Sequence, residues 1–211
     1  MRSPGVAFVL ALAALAACRP EPAPAHGADA QAYAVLTELG TSNLLMRKGS
    51  NVRVMQTAQV SRPDLIAYDK ATGLLTLRHG VYRLDGYSIS TFGYELTEPQ
   101  EDSVRSLPGY AYLCNVGSRG VQTLGSMQDP MFSLPSHVND VIPVPDSAVF
   151  YLGHQNGDSI QNVYLQTFKP GFGTNHVFAR LLVQRLGDVK PGTPSPAPAP
   201  GDHPCWPVGS R

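Results

Sequence analysis

Apolar residues in this chain recur at every second position, in short runs bounded by Gly, Pro, Asn or Asp. A period of two belongs to a strand with one buried face, and turn residues at such short spacing favour neighbours that pair antiparallel. Val81–Ser90 (VYRLDGYSIS) shows the pattern most clearly. Val52–Val60 alternates in part, and Leu74–Leu77 lies between Gly73 and His79-Gly80. Tyr110–Val116 runs into a Gly117–Gly120 turn and returns along Val121–Leu124. Asp140–Val144 reads as a strand ended by Pro143 and Pro145. Ala148–His154 is a stronger one, followed by the hairpin-turn chemistry of Gln155-Asn156-Gly157-Asp158. Gln161–Phe168 and His176–Leu186 complete the set, while Gln31–Leu39 reads as either a short helix or a first strand. Helical periodicity is weak throughout. These features predict an all-β chain, an antiparallel β-sandwich of the jelly-roll kind with about 8–10 strands.

Two proline-rich stretches bracket that segment. Residues 20–30 (PEPAPAHGADA) and 190–200 (KPGTPSPAPAP) favour extended polyproline II and do not pack. The expected organisation is a signal peptide at 1–17, a tether at 18–30, the folded domain at 31–189 and a tail at 190–211. A domain of that length can bury a sizeable core. The signal peptide rests on Arg2 and on an uncharged run from Val6 to Ala17. That run is shorter than the ~20 apolar residues a membrane span needs. Its end, Leu15-Ala16-Ala17-Cys18, resembles the bacterial lipobox. The resemblance implies diacylglycerol on the Cys18 thiol, cleavage before Cys18, and a further acyl chain on its amino group. Two or more acyl chains make a stable membrane anchor. Arg19, standing where Asp favours inner-membrane retention, implies the outer membrane.

Lys+Arg and Asp+Glu number 16 each, and loss of Arg2 leaves 15 against 16. No basic stripe points to a nucleic-acid partner, and no block of like charge points to a lipid-surface patch. With Cys18 lipidated, Cys114 and Cys205 remain. An exported pair invites a disulfide. Two free thiols, with Cys114 buried as a small apolar residue, are the alternative. A bridge ties the GDHPCW segment to the domain and holds Trp206 against it, where the indole buries apolar area.

Three stretches carry a resemblance. In Tyr68–Leu84 an aspartate, a glycine and an alternating strand lead into Gly80-Val81-Tyr82-Arg83. Tyr110-Ala111-Tyr112-Leu113-Cys114-Asn115-Val116 forms an aryl-leucine-x-asparagine-valine strand, and Val149–Gln155 is followed by the late strand Val177–Leu186. Together they resemble the tumour-necrosis-factor and complement-globular-head jelly rolls over roughly 52–186. The chain lacks the collagen-like repeat that precedes many complement-type heads. The resemblance implies a homotrimer closed by aromatic side chains, with Tyr151 and Tyr164 at the interface and Tyr82 turned inward with Leu84. Such positions pack a fold and carry no chemistry by themselves.

Candidate catalytic residues do not assemble in the sequence. His79 belongs to a turn before Gly80; His137, His154 and His176 lie on or beside strands. His154 with Asp158 and His137 with Asp140 come nearest to a metal pair, but no ligand pair shares one face of one element. Paired histidines two apart followed by a glutamate, as cupins carry, are missing, and so is Gly-x-Ser-x-Gly. The glycine turns at 117–120 and 171–173 do not join a strand to a helix as a phosphate loop does. Glu98, Glu101 and Asp102 read as a solvated loop. The expectation is therefore no catalytic set, no metal and no cofactor. It leads to a lipid-anchored envelope recognition or structural module, homotrimeric, with membrane, self-association and an envelope protein or glycan as partners. A glycan-binding lipoprotein and an envelope hydrolase assembled from distant loops are the alternatives.

Overall fold

The computed structural model describes residues 31–39, 45–46, 49–90, 109–128, 134–156, 163–164, 176–195 and 205, with backbone alone at 45–46, 156 and 163–164. Cys18, the tether, Glu98, Glu101, Asp102, Asp158 and Trp206 lie outside the described residues.

Every regular element among them is a β-strand. These are β1 (Tyr33–Leu39), β2 (Leu45–Met46), β3 (Gly49–Val52), β4 (Thr57–Val60), β5 (Ile66–Asp69) and β6 (Leu74–Ser88), then β7 (Gly109–Asn115), β8 (Gly120–Gln128), β9 (Ser136–Asn156), β10 (Val163–Tyr164) and β11 (Val177–Gly187). Nine form one antiparallel sheet, ordered β4-β1-β11-β6-β9-β7-β8, with β3 on β9 and β5 on β6; β2 and β10 pair separately. The all-β antiparallel architecture expected from the sequence is the one observed.

The sheet folds over because its two longest strands serve both layers. The second half of β6 pairs with β11 and with the first half of β9, forming the front layer with β1 and β4. The first half of β6 pairs with β5, and the second half of β9 pairs with β7 and β3, forming the back layer. The fold-over sits where the register slips between Arg78 and Gly80, opposite Val144 to Ser147. Two sequence breaks thus become bends within one strand. His79-Gly80 is a bulge whose His79 Nδ1 donates to the Pro145 carbonyl at 2.5 Å. Among the described strands β6 alone pairs with the stretch of β9 that holds Pro143 and Pro145, which suits proline, since a strand paired on one side has N–H groups outside the ladder.

Residues 52–60 do the opposite, one sequence run becoming two strands. Val52 ends β3 in the back layer, Thr57 starts β4 in the front layer, and 53–56 cross between them. Arg53 and Met55 point into the interior on the way, and the Met55 N–H donates to the Tyr68 hydroxyl at 2.6 Å.

The core lies between the layers. The front contributes Ala34, Leu36, Tyr82, Leu84, Val138, Ile142, Leu181 and Val183. The back contributes Ile66, Leu75, Leu77, Ala111, Leu113, Phe150 and Leu152. Strand β8 makes the corner joining the layers on one side. A Cβ at Gly125 would lie 2.7 Å from both the Ala111 and His137 carbonyl oxygens, so the backbones meet too closely there for a side chain.

Candidate functional site

Apolar packing gives way to polar side chains at one end of the interior. Across the front layer, Glu38, Ala179, Ser88 and Ser136 form one inward-facing row in register. His154 near the end of β9 and Arg53 in the crossing segment face it from the back layer. All the polar members are buried, as is Gln128 at the end of β8.

Two bridges span the layers. Arg53 Nε lies 2.9 Å from Glu38 Oε2, and Arg53 Nη2 donates to the Ile89 carbonyl at 3.0 Å. The Arg53 N–H is held by the Leu152 carbonyl at 2.8 Å, fixing the crossing segment to β9. The second bridge joins Ser88 Oγ to His154 Nδ1 at 2.8 Å. Beside them, Gln128 Nε2 donates to the Ser90 carbonyl at 2.5 Å and its Oε1 accepts the Ser90 N–H at 3.3 Å. Ser136 Oγ accepts the Ala111 N–H at 2.7 Å.

Burial governs the charge states. Removal from water holds the His154 imidazole well below its ordinary value of 6.5, and the Arg53 charge adds to this, so the ring is neutral at pH 7. Burial also lowers Arg53, with the Glu38 carboxylate opposing. Among the described residues His154 Nε2 has no hydrogen-bond partner; it faces Gly109, where a Cβ would sit 2.9 Å away, and glycine leaves the ring its place.

A hydroxyl on an imidazole with a carboxylate nearby is the raw material of nucleophilic catalysis, but its arrangement here is different. The hydroxyl engages Nδ1, both groups are closed between the sheets, and Glu38 is committed to Arg53. What this arrangement can do is clamp one layer to the other through groups that have no water to fall back on.

The histidines do not converge. His137 stands exposed on the outer front face against Tyr87, ring centroids 5.9 Å apart, whereas His154 points inward. His79 is at the bulge and His176 precedes β11. Asp140 accepts the Thr123 hydroxyl. Among the described residues no group of three His, Cys, Asp or Glu side chains is placed to hold a metal.

A second cluster lies on the outer face of the back layer. Tyr112, Cys114, Val121 and Tyr151 are buried together, with Val52, Leu74, Tyr110 and Val116 packed against them. Tyr112 meets Tyr151 edge-on at 6.0 Å, and its hydroxyl bonds Ser50. Cys114 and Cys205 are joined by a disulfide with Cα atoms 5.8 Å apart. Tyr151, expected at a subunit interface, lies in this cluster, its side chain 1% exposed within the single chain. Tyr164 lies in β10, its side chain outside the described residues.

Glu38 and Ser88 carried a signal in the sequence. Each continues an inward alternation, Ala34-Leu36-Glu38 and Leu84-Gly86-Ser88, so a polar group stands where an apolar one belongs. Arg53 carried none, because the chain leaves the strand pattern at that point. No protein-family model matches the chain, and no curated protein matches it.

Proposed function

We propose that the chain is a lipid-anchored, non-enzymatic recognition or structural module of the bacterial cell envelope, homotrimeric and held at the outer membrane, as Arg19 implies. The observation that carries the reading is the Cys114–Cys205 bridge. Such bonds persist in oxidising compartments and are rare in the cytosol. It agrees with the export and lipidation implied by Leu15-Ala16-Ala17-Cys18. The inward-closed Ser88–His154 pair supports a non-enzymatic reading, since no substrate reaches a hydroxyl sealed between two sheets. The jelly-roll resemblance supports the trimer. The outer front face, where Tyr33, Val141 and Leu182 are exposed, offers apolar side chains for self-association. An envelope protein or glycan is the recognition partner in this reading.

The test is mass spectrometry of the chain recovered from bacterial envelopes. The expected N-terminal peptide begins at Cys18 and carries acyl mass, and Cys18→Ser moves the protein out of the membrane fraction. An unmodified Cys18, or a Cys18→Ser protein that stays with the membrane, overturns the anchor. Light scattering that gives a monomer at high concentration overturns the trimer.

A further inference from the structure

We propose that the open edge of β4 pairs with the same edge of a second copy, antiparallel across a two-fold axis at Gln59. β4 ends one side of the front layer, and among the described residues no strand lies on its outer side. The Ser61 N–H donates to the Tyr33 carbonyl at 2.9 Å, continuing the β1–β4 register by one step. Backbone direction alternates along a strand, so Thr57 and Gln59 also turn their N–H and C=O groups towards β1. Ala58 and Val60 therefore turn theirs outward, a donor and an acceptor each. The side chains of Ala58 and Val60 pack half-buried against the core, while Thr57 and Gln59 are exposed.

Proteins guard open strand edges, and two others here are guarded. On β9, at the far side of the front layer, the His137 N–H donates to Ser126 Oγ at 3.0 Å and the Val141 N–H to the Asp140 carboxylate at 2.8 Å, while Pro143 has no N–H. On β5 the Ile66 N–H donates to the Arg62 carbonyl at 2.9 Å, and the charged Asp69 and Lys70 follow. Thr57-Ala58-Gln59-Val60-Ser61 holds no charge and no proline. Its pattern is its own complement. With the axis at Gln59, Ala58 of one copy faces Val60 of the other, and every outward N–H meets an outward carbonyl. Gln59 falls opposite its own copy in a non-hydrogen-bonded pair, where each side-chain amide both donates and accepts. A foreign strand gains the backbone bonds but no specificity pocket, because Ala58 and Val60 already serve the core. The two front layers then run on as one sheet, β9-β6-β11-β1-β4-β4-β1-β11-β6-β9. This edge is a different surface from the outer front face and does not depend on a trimer forming there.

Light scattering on the full exported chain, as Cys18→Ser to keep micelles out, reads the pairing. The expected mass is an even multiple of the chain, and Ala58→Pro, which removes one outward N–H, halves it. A dimer supports the edge pair and overturns the trimer; a trimer or a monomer overturns the edge pair. An unchanged mass in a folded Ala58→Pro overturns it as well. Should Ala58→Pro not fold, cysteine cross-linking decides the matter. Across the axis the two Gln59 Cα atoms lie about 4.5 Å apart, within the span of a disulfide, whereas Thr57 lies opposite Ser61 of the other copy. Mild oxidation of Gln59→Cys is expected to give several-fold more covalent dimer than Thr57→Cys. Equal cross-linking of the two, or none in either, overturns the pairing.

Discussion

The two outer faces of this sandwich belong to one sheet and have opposite characters. Across the front, three rows run in register over four strands: Tyr33-Gln184-Arg83-Val141, Val35-Leu182-Asp85-Asn139 and Thr37-Arg180-Tyr87-His137. Charged and apolar side chains mix there, and Arg83, Arg180 and His137 reach solvent. Across the back, Tyr112, Cys114 and Tyr151 are shut away. The strands differ accordingly: VYRLDGYS alternates, whereas YAYLCN and VFYLGH are apolar nearly throughout. In an antiparallel sheet an unbroken apolar run means covering on both sides, and Cys205 packs against the outer one.

The largest way to break that contrast is to remove the bridge. It closes a separation of 91 residues. Cys205→Ser should then lose about 4–5 kcal/mol in the chain-entropy model, read as a lower urea midpoint. A midpoint that does not move would mean the back face does not depend on its tether. Next, Tyr151→Ala should cost about 3–5 kcal/mol, as other large buried aromatics do. An effect near zero would place Tyr151 on a free surface after all.

Acid probes the clamp inside. The unfolded imidazole of His154 takes up a proton around 6.5, while the folded one stays neutral to much lower pH. The unfolded state therefore binds more protons in that window. Stability is full above it and falls by about 1.4 kcal/mol per pH unit below it, until the folded ring titrates. Unfolding curves between pH 7 and 5 should be steeper for the native chain than for His154→Asn, which keeps an amide in place of Nδ1. Equal slopes would remove His154 as the cause. The smallest effect belongs to the front face: Val141→Ala should stay within about 0.5 kcal/mol in the same urea titration. A loss as large as that of Tyr151→Ala would abolish the distinction between the faces.

Much of the fold is legible in the sequence because strand alternation is local. Val81–Ser88 and Val177–Leu186 declare their buried faces in their own residues. What escapes is decided by partners far along the chain. Pro143 and His79-Gly80 look like ends of strands, yet they bend strands that continue, because the opposing strand bulges with them. Val52–Val60 looks like one strand, yet it changes layers, because Arg53 is drawn inward to Glu38. Composition suggests pairing of Cys114 and Cys205, and only the folded chain shows that the bond lies on the back face.

The account turns on a sandwich whose back sheet is bonded to Cys205 through Cys114, and the thiols test this most directly. Alkylating the native exported protein and digesting it without reduction should yield one peptide pair joined through Cys114 and Cys205, with neither residue alkylated. Recovery of both residues as alkylated thiols, or of a dimer linked through Cys205, would contradict it.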